Sequence, residues 1–277
     1  MEGRDFMNSY HPKSLLNDLQ YYITPPHDCS YLEKKSARMV FLDPVHRIDV
    51  VTLSELSRVG FRRSGDFVYR PECHLCRQCL SCRVPASEFK MSSAQKKAWK
   101  RNQDLTVKVI PTLQATKVQY QHYQRYIIQH QPDSDMSPPS YKKKKKFLIH
   151  SCTDSFFLEL WKDDRLISVS TCDQLDDGVS AVYTFFDPDE SKRSLGVYAV
   201  LKQIEYVQTL NLDYVYLGYW VPHASKMNYK SQYAPFELLL DGQWRRINRH
   251  LDAKEIQELG DMLMTTLPSE WSEPIIK

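Results

Sequence analysis

The chain has 277 residues, a formal net charge of +3, and 42% hydrophobic and 26% charged residues, which is ordinary globular composition with length for one large domain or two moderate ones. A charge this small does not by itself argue a nucleic-acid partner, no window approaches the ~20 apolar residues of a membrane span, and the opening MEGRDFMNSYHPK lacks the apolar run of a secretory signal. Seven cysteines, four of them between positions 73 and 82, suit a reducing cytoplasm and a metal or cluster site better than a disulfide framework.

Taken in chain order, residues 14–22 predict a short amphipathic helix, closed by Pro25-Pro26. Residues 36–42 and 47–53 predict strands on either side of Asp43-Pro44, and 54–59 a short helix ended by Gly60. Residues 61–69 are partly strand-like, with a bend at Gly65.

Cys73, Cys76, Cys79 and Cys82 follow, each separated from the next by two residues. Thiolates at this spacing can bend around one ion, since Zn–S bonds of ~2.3 Å demand closeness. Four in unbroken series strain a single tetrahedral centre. Three in series plus one remote thiol is the commoner layout, so Cys29 competes with Cys82 as the fourth ligand of a zinc or iron–sulfur site.

Residues 83–85 form a link, and a helix at 92–102, capped by Ser92 or Ser93, carries Lys96, Lys97, Lys100 and Arg101 around Trp99. Residues 107–110 predict a strand, 112–129 a helix, and 130–141 a proline-containing loop. Lys142–Lys146 reads as a solvated loop able to attract phosphates.

Three strands are then expected at 155–161, 165–172 and 180–186, turning at Asp163-Asp164 and Asp177-Gly178. A helix begins at Ser194-Leu195-Gly196 with Ser194 as its cap, and Val197, Val200, Leu201, Ile204 and Val207 form its core stripe. A buried strand at 214–221 delivers the chain into a loop rich in Tyr, Lys and His, and a last helix is expected at 254–267. Cys152 and Cys172 read as apolar fillers of the meander.

The expected fold class is α+β: a cysteine-motif domain over 1–110, a mixed sheet with flanking helices over 111–250, and a C-terminal helix and tail over 251–277. A three-strand meander, helix and buried strand is the central order of the N-acetyltransferase type of acyltransferase fold. There the free N–H groups at Ser194-Leu195-Gly196 would hold phosphates of an acyl donor.

Tyr69-Arg70-Pro71-x-Cys73-x-x-Cys76-x-x-Cys79-x-x-x-Arg83, together with Ser194-Leu195-Gly196, Tyr219-Trp220, Lys226-Met227-x-Tyr229-Lys230 and Tyr233-x-Pro235, resembles the aminoacyl-tRNA–protein transferases, in particular their short bacterial leucyl form. Gln95, Arg101, Asn102 and Asp104-Leu105 extend the likeness. The resemblance implies transfer of leucine from Leu-tRNA to the N-terminal amine of proteins beginning with Asp or Glu, in the N-degron pathway, with no cofactor required for the chemistry and no membrane partner. An arginyl donor, or a non-catalytic zinc-dependent RNA-binding module, is the alternative.

It also implies that Ser194, Leu195, Gly196, Tyr219, Trp220, Tyr229 and Tyr233 bind the donor, and that Arg83, Lys226 and Lys230 meet phosphate or the acceptor carboxylate. His223, Asp187 and Glu237 are candidates for the general base. The loop between Tyr219 and Tyr233 contains no Asp or Glu, which favours an apolar donor.

Overall fold

The computed structural model describes residues 16–45, 48–134, 136–149 and 153–265. Its largest element is an eight-stranded mixed sheet, and the strands that build it come from most of the chain. In spatial order they are β14 (Gln243–Ile247), β13 (Phe236–Leu240), β7 (Leu80–Pro85), β12 (Tyr214–Trp220), β11 (Gly178–Phe186), β10 (Arg165–Gln174), β9 (Ser155–Lys162) and β8 (Thr106–Pro111). The meander at β9–β11 and the central place of β12 are as the strand patterns predict.

Two regions of the sheet differ from the sequence reading. Residues 80–85 form a fully buried strand between β12 and β13, where the end of the cysteine series and a link over 83–85 were expected. Its alternation explains this: Leu80, Cys82 and Val84 enter one core cluster, while Ser81 and Arg83 face the other side. Residues 236–247 form a hairpin about Asp241-Gly242, both at positive φ (49° and 72°), which a two-residue turn demands.

A second, antiparallel sheet holds β1 (Tyr21–Ile23), β4 (Met39–Leu42), β6 (Phe67–Pro71) and β5 (Arg62–Ser64), and β2 (His27–Asp28) pairs with β3 (Ser36–Ala37). Tyr21–Ile23 is thus strand where the 14–22 helix was expected to end. Strand was expected at 47–53, yet helix α1 spans Val50–Arg58. Asp49 caps it by accepting from Thr52 N at 2.7 Å, and burial of Leu53 and Leu56 overrides the β-branched Val50 and Val51.

Helices cover both faces of the large sheet. Helix α5 (Leu195–Thr209) covers one, with Leu195, Tyr198, Leu201, Ile204 and Val207 in the main core. On the other lie the small sheet with α1, whose core includes Tyr216, and α3 (Lys117–His130), whose Tyr123 and Ile127 meet Phe157, Val169 and Phe185. Helix α2 (Ser93–Arg101) has a full capping box between Ser92 and Gln95, and α3 one between Thr116 and Gln119, so the long helix expected from 112 begins only at 117.

The lysine run is helical rather than looped. Helix α4 (Tyr141–Lys144) continues through Lys145–Ile149, anchored by buried Leu148 and Ile149, while Lys142 and Lys145 stay exposed. Helix α6 (Ala253–Thr265) is the last described element and adds Ile256 and Leu263 to the main core. No described helix is long and apolar enough to cross a membrane. Cys172 is buried as expected, and Cys152 lies outside the described residues.

Candidate functional site

The neighbours β11 and β12 run parallel but pair only from Gly178–Ser180 to Tyr214–Tyr216. Beyond Ser180 and Tyr216 no ladder joins them, although β11 continues to Phe186 and β12 to Trp220. The sheet therefore parts towards the carboxyl ends of these two strands. Ala181–Thr184 are half-exposed in spite of their central position, as strand residues beside a gap must be.

The chain leaves β11 through a 3₁₀ segment (Pro188–Arg193) and enters α5 at the mouth of this split. Ser194 sits in the left-handed region (φ 57°, ψ 47°), and its side chain makes no capping hydrogen bond, contrary to the expectation of a serine cap. The first-turn N–H groups of α5 are thus left without a side-chain acceptor. Gly196 has room for a side chain, an added Cβ meeting only Phe186 Cε1 at 3.8 Å, an ordinary contact. Phe186 meets Tyr126 (4.9 Å between ring centroids) and His130 (5.5 Å) from α3, an aromatic wall that sequence reasoning missed. The i, i+4 spacing of Tyr126 and His130 was its one local signal.

This helix start is held from behind by α2. Buried Asn102 donates to Arg193 O at 2.8 Å, Arg193 forks onto Asp104 at 2.8 and 2.9 Å and reaches Glu190 at 2.7 Å, and Arg101 donates to Lys192 O. The Arg193 guanidinium holds the Asp104 carboxyl down at about 2. Arg101, Asn102 and Asp104 act through the backbone of the junction.

Of the four aromatics expected to bind the donor, three are core residues. Tyr219 donates to Gly60 O and Tyr69 O, Trp220 is fully buried and donates to Asn228 Oδ1, and Tyr233 packs on Phe89. Tyr229, on the 3₁₀ segment Ser225–Gln232, is 49% exposed. Its phenol is pushed up to about 12, by burial first and then by neighbouring Cys82 and Tyr126. Tyr126 is carried by α3, and Tyr229 by the segment that follows β12.

Lys226 is exposed, whereas Lys230 is buried and donates to Tyr219 O at 2.5 Å. Burial above all lowers the Lys230 pKa; Cys82 pulls it back up, and the Arg62 charge adds a smaller lowering. Arg83 is already partnered: it lies between the rings of Tyr214 (3.6 Å) and Trp244 (4.1 Å) and donates to Glu237 Oε2 at 2.7 Å and to Tyr216 OH at 3.0 Å.

The three general-base candidates are not brought together. Glu237 holds Arg83. Asp187 is paired with Arg125 at 3.2 Å and caps the 3₁₀ turn. His223 takes a hydrogen bond with Gln78 at 2.8 Å and packs on Gly260 of α6, where an added Cβ would lie 2.4 Å from its Nε2.

The cysteines divide. Burial pushes the Cys79 thiol up, and Cys73, Cys76 and Cys29 add to it, so these four share one neighbourhood. Cys82 instead belongs to the main core, beside Lys230 and Arg62. The donor set is chemically apt for zinc or an iron–sulfur cluster. Its disposition is not, for among the described residues no group of three or more His, Cys, Asp or Glu is arranged to hold a metal ion.

Comparison with known proteins gives the family. Residues 27–97 match the family model described as arginine-tRNA-protein transferase, N terminus, and residues 118–240 match the one described as its C terminus. The Aspartate/glutamate leucyltransferase of Acinetobacter baumannii is 77% identical over 271 residues, covering 98% of this chain and all of that protein. The protein of the same name from Pseudomonas fluorescens is 47% identical over 83% of this chain and 97% of its own. Among solved structures, the C-terminal domain of a lysylphosphatidylglycerol synthetase from Agrobacterium fabrum aligns over 76% of this chain and 68% of its own at 11% identity, with a TM-score of 0.43. With both family models matched in order and relatives similar over nearly its whole length, the chain belongs to the aminoacyl-tRNA–protein transferases, the family of the arginine-tRNA-protein transferases.

Proposed function

We propose that the protein transfers leucine from Leu-tRNA to the N-terminal amine of proteins beginning with Asp or Glu, marking them for degradation by the N-degron pathway. The observation that carries this reading is the split between β11 and β12, with the bare start of α5 at its mouth and the rings of Phe186, Tyr126 and His130 beside it. Both substrates can meet there. In the reaction the amine nitrogen bonds to the ester carbonyl carbon, the bond to the terminal ribose oxygen breaks, and the amine proton passes to the departing oxygen. An amine of pKa about 8 is a competent nucleophile once it and the carbonyl are held in line, so positioning supplies most of the catalysis. The N–H groups of Leu195, Gly196 and Val197 would hold the terminal phosphates, and Tyr126, Phe186 and Tyr229 would stack on the terminal base. The step written this way calls on no cofactor.

The donor follows from charge. An arginyl side chain needs an acid in its pocket. The segment between Tyr219 and Tyr233 has none, and Glu237, the next acid along, is neutralised by Arg83. With Leu-tRNA and Arg-tRNA offered in parallel to one Asp-initiated peptide, leucine is expected in the product; arginine with leucine ignored would reverse the donor assignment.

The exposed Lys96, Lys97 and Lys100 of α2 and the run at Lys142–Lys146 are proposed to contact tRNA phosphates. Neutralising Lys142 to Lys146 together should weaken tRNA binding, with turnover at saturating tRNA unchanged. The logarithmic salt dependence of binding should flatten by about one for each phosphate that no longer meets a lysine. An unchanged slope in binding titrations would return these lysines to plain solvation.

A further inference from the structure

Three arginines are buried among the described residues: Arg62, Arg63 and Arg83, each under 9% exposed. Arg63 is forked onto Asp173, and Arg83 is paired with Glu237. Arg62 has no acid. One nitrogen donates to Phe61 O at 3.1 Å, while Nε and Nη2 are buried without a hydrogen-bond partner. A buried guanidinium left without an anion is costly.

Its place follows from the register of the sheet. Asp173 of β10 lies opposite Ser180 of β11, and Ser180 lies opposite Tyr216 of β12, the last pair before the two strands part. Arg63 reaches Asp173 at one end of this row. Arg62 lies over the Tyr216 ring at the other, 5.4 Å from its centroid. The two adjacent arginines thus span β11 at the closed end of the split.

A bulge in β12 completes the surroundings. The pairing with β7 shifts between Tyr216 and Gly218, where Gly218 takes φ +78°. In an unbroken strand residues three apart point to opposite faces. Here the bulge turns Tyr216 and Tyr219 to the same side, and Arg62 lies over both rings, 5.9 Å from the second. Tyr219 also links the second cation, since Lys230 donates to its carbonyl. Lys230 is nine-tenths buried and likewise has no carboxylate partner among the described residues.

We infer that Arg62, with Lys230, forms the anion site that takes the side-chain carboxylate of the acceptor protein's first residue. This rests on the transferase reading above. The unpartnered Nε and Nη2 form one edge of the guanidinium, the edge that can fork onto the two oxygens of a carboxylate. A nucleic-acid phosphate, tied to a chain that stays in water, fits the mouth of the split better than its closed end.

The test uses the full-length protein, Leu-tRNA and matched peptides beginning with Asp or Asn. Wild-type protein should prefer Asp strongly. Arg62→Met should lower kcat/KM for the Asp peptide by about a hundredfold or more, leave the Asn peptide little changed, and leave the KM for Leu-tRNA as it was. Its melting temperature should equal or exceed wild type, because the charge removed had no partner, whereas Arg63→Met should lower it by stranding Asp173. Should Arg62→Met fail to fold, Arg62→Lys, which keeps the charge and loses the fork, should show a smaller preference for Asp over Asn than wild type does. An Arg62 variant that keeps the wild-type preference for Asp over Asn, or that loses affinity for Leu-tRNA instead, overturns the inference alone. Wild-type protein that transfers leucine to neither peptide overturns the transferase reading and this inference with it.

Discussion

Asp173→Ala is expected to lower the stability of the protein by about 3–5 kcal/mol, the loss that follows when one member of a buried ion pair is removed and the other charge stays behind. Asp173 and Arg63 are each 1% exposed at the side chain and joined by two bonds of 2.7 Å. Ser155 Oγ donates to the same carboxylate, and Arg63 also donates to Gly65 O at 3.0 Å. The pair ties β5 of the small sheet to β10 of the large one, and therefore fixes the strand that carries Arg62. Denaturant unfolding at neutral pH would show the loss as a lower midpoint. The double variant Arg63→Met/Asp173→Leu should recover most of it, because it leaves no charge unpaired. A single variant as stable as wild type would mean that the pair does not brace the two sheets.

Gly196→Asp separates binding from stability by moving them in opposite directions. An added Cβ at Gly196 meets nothing closer than Phe186 Cε1 at 3.8 Å, so the side chain fits. A carboxylate in the first turn of α5 interacts favourably with the helix N-terminus, worth about 0.3–1 kcal/mol, and melting should rise slightly or stay level. The same charge would occupy the place proposed for the terminal phosphates of the tRNA. The KM for Leu-tRNA should then rise at least about tenfold, the cost of like charges facing at short range being more than about 1.4 kcal/mol. Titration of Leu-tRNA against a fixed peptide measures it, and an unchanged KM would remove the helix start from the donor site.

Much of this arrangement is legible in the sequence. The meander, the core stripe of α5 and the cap of α2 are carried by neighbours within a few residues, the range over which periodicity and capping act. What escapes is decided at long range or by two patterns overlapping. Leu80-Ser81-Cys82-Arg83-Val84 alternates as a strand, but Cys82 also completes the series of cysteines, and the metal reading draws it away from the core it packs. The hairpin signal at Asp241-Gly242 is present in the sequence, though no turn was expected there. Nothing in the run Phe61-Arg62-Arg63 says which arginine will find an acid, because that acid lies 110 residues further on. Nor does a string of tyrosines say which ring will be core: Tyr219 and Tyr233 are buried, while Tyr229 is exposed.

Leucyl transfer selective for an acidic first residue is tested most directly by one measurement. Purified protein is incubated with Leu-tRNA and four peptides identical except for a first residue of Asp, Glu, Asn or Gln, and the products are weighed by mass spectrometry. The Asp and Glu peptides should gain a single leucyl residue at the N-terminus, and the Asn and Gln peptides should remain unmodified. No product on any peptide, or equal product on the acids and their amides, would contradict that activity.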